Sequence, residues 1–171
     1  KASAKREALL DLLPTLIEAG RSVLLFSQFT TTLDLIAADV TERGLTYARL
    51  DGSTRNRRLP VERFQRGEVP LFLVSLKAGG VGLNLTRADT VILYDPWWNP
   101  ATEAQAIDRA HRIGQDKPVF VYELTCTGTV EEKMASLKAR KRAVADAVLA
   151  GGESAIETLQ ADDLLSLFGQ D

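Results

Sequence analysis

Two arginines lie almost one helical turn apart in a segment that opens with a helix-start signal. Asn99 can cap a helix, Pro100 suits its first position, and Gly114 is a typical stop. At about 100° per residue, one face of the predicted helix Ala101–Ile113 carries Gln105, Asp108, Arg109 and Arg112. Arginine offers a permanently charged planar fork that fits phosphate oxygens. The pattern predicts a phosphate-facing surface, and a solvated face with Asp–Arg pairs is the alternative.

A glycine-rich segment, Ser75–Asn84, directly follows an apolar run. Its three glycines, Gly79, Gly80 and Gly82, allow close backbone approach and expose N–H groups that can hold an anion. The pattern G-x-x-x-x-G-K-S/T occurs nowhere in the sequence, so this is not a Walker A loop. A tight turn between a strand and a helix explains the glycines equally well.

Hydroxyl, amide and arginine side chains follow two other apolar runs. Ser27–Thr30 comes after the first and Asp51–Arg55 after the second. Such groups hold phosphates without reading base sequence, although each segment is also a normal cap or turn. Near the second of these segments, five arginines and two glutamates give a net charge of +3. This charge suits contact with a nucleic-acid backbone, and it is also common on an ordinary exposed helix. The residues are Arg55, Arg57, Arg58, Arg63 and Arg66, against Glu62 and Glu68.

The other reactive or bulky residues give weaker signals. Trp97 and Trp98 occupy a predicted loop, where one is interpreted as core and the other as a stacking or wedge residue. His111 is the only histidine and is interpreted as structural. Cys126 is the only cysteine, so an intrachain disulfide and a zinc cluster are excluded and a reducing compartment fits.

The elements that must position these groups are apolar runs alternating with helical patterns. The predicted strands are Val23–Phe26, Tyr47–Leu50, Leu71–Val74, Val91–Tyr94 and Val119–Tyr122, mostly non-alternating and therefore expected to be covered on both faces. The other predicted helices are Ser3–Glu18, Thr32–Arg43, Arg58–Gln65 and, after the last strand, Val130–Leu149. This order predicts an α/β fold with a parallel sheet, helices on both faces and sites at the carboxyl ends of the strands.

Length and charge limit the classes of function that this chain can have. The 171 residues fit one domain with a short appendage, and 45% hydrophobic and 26% charged residues are ordinary for a globular protein. The formal net charge of −2 argues against a histone-like binder or a polybasic membrane module. However, residues 1–142 hold 21 basic and 17 acidic side chains, while residues 143–171 hold six acidic ones and no basic one. The first part is mildly basic, and its charge is masked by an acidic tail.

Together these pieces resemble the second RecA-like lobe of Swi/Snf-type ATPases, the double-stranded-DNA translocases of helicase superfamily two. The matching segments are VLLFSQF (Val23–Phe29), LDGSTR (Leu50–Arg55), SLKAGGVGLN (Ser75–Asn84), ADTVILYDPWWNP (Ala88–Pro100) and QAIDRAHRIGQ (Gln105–Gln115). The resemblance spans nearly the whole chain. It implies a P-loop NTPase-type fold without a P-loop, comprising a lobe over residues 1–128, a bracing helix over 129–150 and an acidic tail with a short helix over 151–171.

The resemblance also implies roles for individual residues. Arg109 and Arg112 match the arginine fingers, which act on the γ-phosphate of ATP held by the other lobe. The nucleotide-facing positions are Gly82, Asn84, Gln105 and Asp108. The DNA-contacting positions are Ser27, Gln28, Thr54, Ser75, Lys77, Gly79 and Trp98, with Arg55 added from the basic patch. No metal ligand is expected in this chain, and Trp97 receives no role.

Neither a Walker A loop nor a D-E-x-H sequence is present. The resemblance therefore implies that ATP and Mg²⁺ are bound mainly by an N-terminal lobe of the same polypeptide, and that this chain alone binds neither and is inactive. Its expected partners are double-stranded DNA, that lobe and a DNA-bound protein target, with no membrane. Because the chain begins at Lys1 rather than Met, we expect a segment of a longer protein. The compact spacing of the motifs and the acidic tail resemble bacterial members of the family, so we expect a bacterial protein that is cytoplasmic and nucleoid-associated.

Two other hypotheses remain open at this stage. The chain could be a stand-alone DNA-binding or interaction module that keeps the lobe without the motor, which an open reading frame lacking an upstream GKT-containing lobe would favour. It could also be a small doubly wound nucleotide-binding domain, which should bind nucleotide tightly in isolation.

Overall fold

The computed structural model describes residues 3–79, 83–95, 104, 107–108 and 116–149. The elements run in the order α1 (Ala4–Glu18), β1 (Val23–Ser27), α2 (Thr30–Glu42), β2 (Tyr47–Leu50), α3 (Arg58–Gln65), β3 (Leu71–Ser75), α4 (Leu76–Gly79), β4 (Thr90–Leu93), β5 (Phe120–Glu123) and α5 (Val130–Leu149). Each predicted strand forms, with ends shifted by a residue or so. Ala104, Ile107 and Asp108 are helical, and the rest of the predicted helix 101–113 lies outside the described residues.

The strands form one five-stranded sheet in the order β2-β3-β1-β4-β5, and every pairing is parallel. Val23 at the start of β1 lies opposite Leu71 on one side and Thr90 on the other. The first and third strands of the chain are therefore neighbours at the centre. This arrangement confirms the predicted α/β parallel sheet.

Successive side chains of the central strands point to opposite faces, and each face carries its own apolar layer. On one face Phe26 and Phe72 pack with Phe64 of α3, whose ring centroid lies 5.4 Å from that of Phe72. On the other face Leu25 and Leu73 pack with a set of α1 and α2 side chains, chiefly Leu9, Leu13, Leu33 and Ile36. Helices therefore cover both faces, as the non-alternating strands predicted.

The two outer strands depart from the prediction that strands are covered on both faces. In β2, Ala48 and Leu50 are buried while Tyr47 and Arg49 are only partly buried. In β5, Phe120 and Val121 are each 43% exposed. An outer strand has a sheet neighbour on one side only, so its side chains meet fewer packed elements, whatever their hydrophobicity.

The chain divides into two compact units, Lys1–Cys126 and Thr127–Asp171. The first contains the sheet, and the second contains α5. In the second unit, Glu132 near the start of α5 accepts the backbone N–H of Gly128 at 2.6 Å. No helix within the described ranges is both long and apolar enough to cross a bilayer.

Candidate functional site

The carboxyl ends of β2, β3 and β1 lie side by side. Ser27 and Ser75 are paired in register at the ends of β1 and β3, and Leu50 at the end of β2 pairs with Val74. Neighbouring strands are about 4.8 Å apart, so the segments that follow these strands begin close together. The sheet therefore brings the predicted DNA-contacting segments after β1, β2 and β3 to one edge, which we call the carboxyl edge.

After β2 the chain makes a tight turn organised by Asp51. Its carboxylate Oδ1 accepts the backbone N–H of Ser53 at 2.8 Å and the Ser53 hydroxyl at 2.5 Å. The Asp51 backbone N–H donates to Thr54 Oγ1 at 3.0 Å, and the Thr54 N–H donates to the Asp51 carbonyl at 3.2 Å. Because Thr54 Oγ1 is used here as an acceptor, its O–H proton can still be donated outward.

Arg49 ties this turn to a neighbouring helix. Its Nε donates to Asp51 Oδ2 at 2.7 Å, and a second guanidinium nitrogen lies 2.7 Å from Asp34 Oδ1 on α2. The hydrogen bonds from Ser53, together with Arg49, outweigh the effect of burial and hold the pKa of Asp51 below its ordinary value of 3.8. Burial opposes the charge on Arg49, but its two carboxylate partners raise its pKa above its ordinary value. The turn is thus fixed by ionised groups.

After β1, the polar groups are held by Asp95, which follows β4. The Ser27 hydroxyl donates to Asp95 Oδ2, and the Gln28 backbone N–H donates to the same oxygen at 2.9 Å. Ser27 Oγ also accepts the Phe29 N–H at 3.1 Å. Ser27 is fully buried, so its hydroxyl shapes the chain at this edge. Its predicted contact with DNA stays a prediction.

The position of Asp95 is itself fixed by its neighbour. The Tyr94 N–H donates to the Phe26 carbonyl at 3.0 Å, which continues the β1–β4 ladder by one residue. Lys5 Nζ of α1 lies 5.1 Å from the centre of the Tyr94 ring. Burial raises the pKa of Tyr94 above 10.0, although a hydrogen bond with Ser3 opposes that shift. Asp95 therefore leaves a well-packed strand end.

The glycine-rich segment begins as a short helix directly after β3. The buried Ser75 hydroxyl accepts the Ala78 N–H at 3.3 Å, which starts α4 directly at the end of β3. The backbone of Lys77 and Gly79 belongs to this helix. Asn84 is exposed, and Gly82 lies outside the described residues.

The arginines of residues 55–66 fall into two groups. α3 runs antiparallel to the strands, as it joins two parallel neighbours, so Arg55 and Arg57 lie at the carboxyl edge and Arg66 lies towards the other edge. In the described part of the chain, Arg55 and Arg57 are exposed and have no carboxylate within 4.0 Å. The remaining arginines pair with nearby glutamates: Arg58 and Arg66 with Glu62, and Arg63 and Arg66 with Glu68. Among these five arginines, the two without a described carboxylate partner therefore lie at the carboxyl edge.

Several predicted site residues cannot be placed. Arg109, Arg112, Gln105 and Trp98 lie outside the described residues, and Asp108 is helical and exposed. Their predicted roles stay predictions. Among the described residues, no group of three or more His, Cys, Asp or Glu side chains could hold a metal ion.

Sequence reasoning missed three residues that organise the site: Asp95, Asp51 and Arg49. Asp95 and Asp51 lie in quoted motifs directly after strands, and this position was the available signal. Nothing in the sequence indicated that Arg49 would point towards both Asp34 and Asp51, because the side chains of an outer strand cannot be assigned partners from their spacing.

The family described as the helicase conserved C-terminal domain matches residues 4–114. That range contains the whole carboxyl edge and the predicted arginine helix.

The chain is also similar to curated proteins that are much longer. It is 45% identical over 172 aligned positions to the human chromatin-remodeling ATPase INO80, covering 99% of this chain and 11% of that protein. It is 42% identical to the helicase swr1 of Schizosaccharomyces pombe, covering 98% of this chain and 13% of that protein. An uncharacterized ATP-dependent helicase of Mycoplasma pneumoniae is 42% identical, and the match covers 97% of this chain and 16% of that protein. The chain thus spans between a tenth and a sixth of the length of these relatives.

Since similar proteins are mostly eukaryotic, the expected bacterial origin is not supported.

Among solved structures, the crystal structure of the C-terminal part of the Fun30 ATPase domain is similar, with a TM-score of 0.74 and 40% identity over 78% of this chain and 45% of that one. This likeness confirms the RecA-like α/β fold that the sequence predicted.

Proposed function

Because the chain belongs to the helicase conserved C-terminal domain family, we propose that it is the second, C-terminal motor lobe of a Swi/Snf-type ATP-dependent double-stranded-DNA translocase. The observation that carries the proposal is the carboxyl edge, where the segments after β1, β2 and β3 are adjacent and carry hydroxyls, and where the segment after β2 adds arginines that have no carboxylate partner among the described residues. Its similarity to remodelling ATPases and helicases supports the same assignment.

This edge contacts the phosphate backbone of duplex DNA. Arg55 supplies a charge that no described carboxylate neutralises, and Thr54 retains a hydroxyl proton to donate. Gln28, Lys77 and Gly79 lie on the neighbouring segments, and Ser27 and Ser75 fix the chain there by their buried hydroxyls. Trp98 packs near the DNA groove. Contacts of this kind hold DNA without sequence preference, which suits a motor that moves along any sequence.

The second surface faces the nucleotide. Arg109 and Arg112 reach across the cleft between the two lobes to the γ-phosphate of ATP. A positioned arginine stabilises the charge of the transition state and is worth roughly 10³–10⁵ in rate in nucleotide hydrolases. Gln105 and Asp108 orient the predicted helix 101–113, which carries these arginines, and the nucleotide contacts. Gly82 and Asn84 belong to the segment that closes on the nucleotide.

ATP and Mg²⁺ are bound mainly by the N-terminal lobe. Mg²⁺ prefers carboxylate and phosphate oxygens, and the resemblance assigns the carboxylates that hold it to that lobe. The ion neutralises phosphate charge when bound there. This chain contributes arginines and a DNA surface, so it is inactive as an ATPase alone. Its partners are duplex DNA, the N-terminal lobe and a DNA-bound protein that the motor displaces or remodels.

Titration of the 171-residue chain with ATP and with duplex DNA tests this proposal. Calorimetry should detect no submicromolar binding of ATP with Mg²⁺, and no ATP hydrolysis should occur with or without DNA. Fluorescence anisotropy should show binding to labelled duplexes of unrelated sequence with equal affinity, weakening steeply with salt. Tight ATP binding, or hydrolysis by the chain alone, would contradict the assignment and favour an independent nucleotide-binding domain.

A further inference from the structure

Two buried aspartates clamp the same pair of strands from opposite ends. Before β4, Asp89 Oδ1 accepts the backbone N–H of Ser22 at 3.1 Å and the hydroxyl of Thr90 at 2.9 Å. After β4, Asp95 Oδ2 accepts the backbone N–H of Gln28 at 2.9 Å and the hydroxyl of Ser27. Both carboxylates are buried, at 7% and 8% exposure.

The two clamps differ in which segments of the chain adjoin them. Asp89 joins the amino ends of β1 and β4, at the opposite end of these strands from Ser27 and Gln28. Asp95 joins the end of β1, which leads into the proposed DNA-contacting segment, to the end of β4, which leads directly into residues 96–112 with Arg109 and Arg112. One carboxylate therefore joins the beginning of the proposed DNA-contacting segment to the strand end that precedes the predicted arginine helix in the sequence.

We infer that Asp95 is a positioning residue that couples DNA contact to ATP hydrolysis, through its hydrogen bonds to the Ser27 hydroxyl and the Gln28 N–H. This inference rests on the proposed function. A buried carboxylate that accepts two hydrogen bonds resists separation from its donors, because each would be left unpaired away from water. A displacement of the segment after β1 on DNA therefore acts on Asp95 at the end of β4, and a displacement of that strand end acts on the segment after β1.

The test is the ratio of DNA-stimulated to DNA-independent ATP hydrolysis in the two-lobe protein that contains this chain. Asp95→Asn keeps the size of the side chain but removes its charge, so it weakens both hydrogen bonds. We expect the ratio to fall about fivefold or more, the lower range of typical coupling between sites. Asp89→Asn is the control, since it weakens the clamp at the amino ends of the same strands together with the ion pair between Asp89 and Arg21 at 3.8 Å, and it should leave the ratio within about twofold of the wild type.

A double-mutant cycle separates positioning from direct DNA contact. If Ser27 acts through Asp95, Ser27→Ala should lower the ratio and should add little in the Asp95→Asn background. Thermal unfolding of the 171-residue variants shows whether Asp95→Asn and Asp89→Asn cost similar stability. Equal ratios for the two aspartate variants, or fully additive effects of Ser27→Ala and Asp95→Asn, would overturn the inference while leaving the proposed function intact. A wild-type two-lobe protein that DNA does not stimulate would overturn both.

Discussion

The carboxylate of Asp95 accepts the backbone N–H of Gln28 at 2.9 Å, across 67 positions of sequence. The bond joins the first residue after β1 to a residue that follows β4, and both precede segments with proposed functions. Parallel strands make this possible, because the sheet places the carboxyl ends of β1 and β4 next to each other. The proposed DNA-contacting groups of the carboxyl edge are therefore connected to one another through hydrogen bonds.

Arg55→Ala should weaken DNA binding without changing selectivity among sequences. Arg55 is exposed at the carboxyl edge and has no described acidic partner, so its charge is available to a phosphate. Loss of one phosphate contact should reduce the slope of log affinity against log salt by about 1. Fluorescence anisotropy on two unrelated duplexes over a salt series measures both quantities. Arg87→Ala, an exposed arginine in the loop before β4, is the control and should leave the slope unchanged. Equal slopes for Arg55→Ala and the wild type would remove Arg55 from the interface.

Thr54 has a structural and a binding role that two substitutions can separate. Thr54→Val removes the acceptor for the Asp51 N–H at 3.0 Å and should cost about 1 kcal/mol of stability, as well as weakening DNA binding. Thr54→Ser keeps the hydroxyl and should preserve both properties. Urea unfolding followed by circular dichroism, with anisotropy on the same samples, measures the two effects. If Thr54→Val binds DNA as well as Thr54→Ser does, the hydroxyl has no part in the interface.

The pKa of Asp51 is lowered chiefly by the hydrogen bonds that it accepts from Ser53, and Arg49 contributes. This shift makes the stability of the folded protein depend on pH. A carboxyl whose pKa is lower in the folded state favours folding where it is ionised, and this contribution is lost as the pH falls below about 4. The melting temperature of Asp51→Asn should therefore change less between pH 6 and pH 3 than that of the wild type. Asp11→Asn, at an exposed position of α1, should retain the wild-type difference. An unchanged pH dependence in Asp51→Asn would contradict the described turn.

The fold could be predicted closely because its signals are local. The apolar runs of β1 and β3 are buried at every position, and their length and composition already distinguish them from helices. The exposure of Phe120 and Val121 could not be predicted, because hydrophobicity does not reveal which strand lies at the edge of the sheet.

The site could be predicted only in part. Ser27 and Ser75 were identified from their positions after strands, and the sheet places them in register. Their burial and the role of Asp95 depend on contacts between distant segments, and side-chain direction at a strand end is set by packing that no spacing rule describes. For the predicted arginine fingers, the sequence resemblance is the support.

The central claim is that this lobe supplies the arginines that act on ATP held by its partner lobe. The direct measurement is the rate of DNA-stimulated ATP hydrolysis by the two-lobe protein with Arg112→Ala, beside Arg140→Ala as a control at an exposed position of α5. We expect Arg112→Ala to lower the rate by about 10³-fold or more, with unchanged thermal unfolding, and Arg140→Ala to match the wild type. Near-normal turnover by Arg112→Ala would contradict the account.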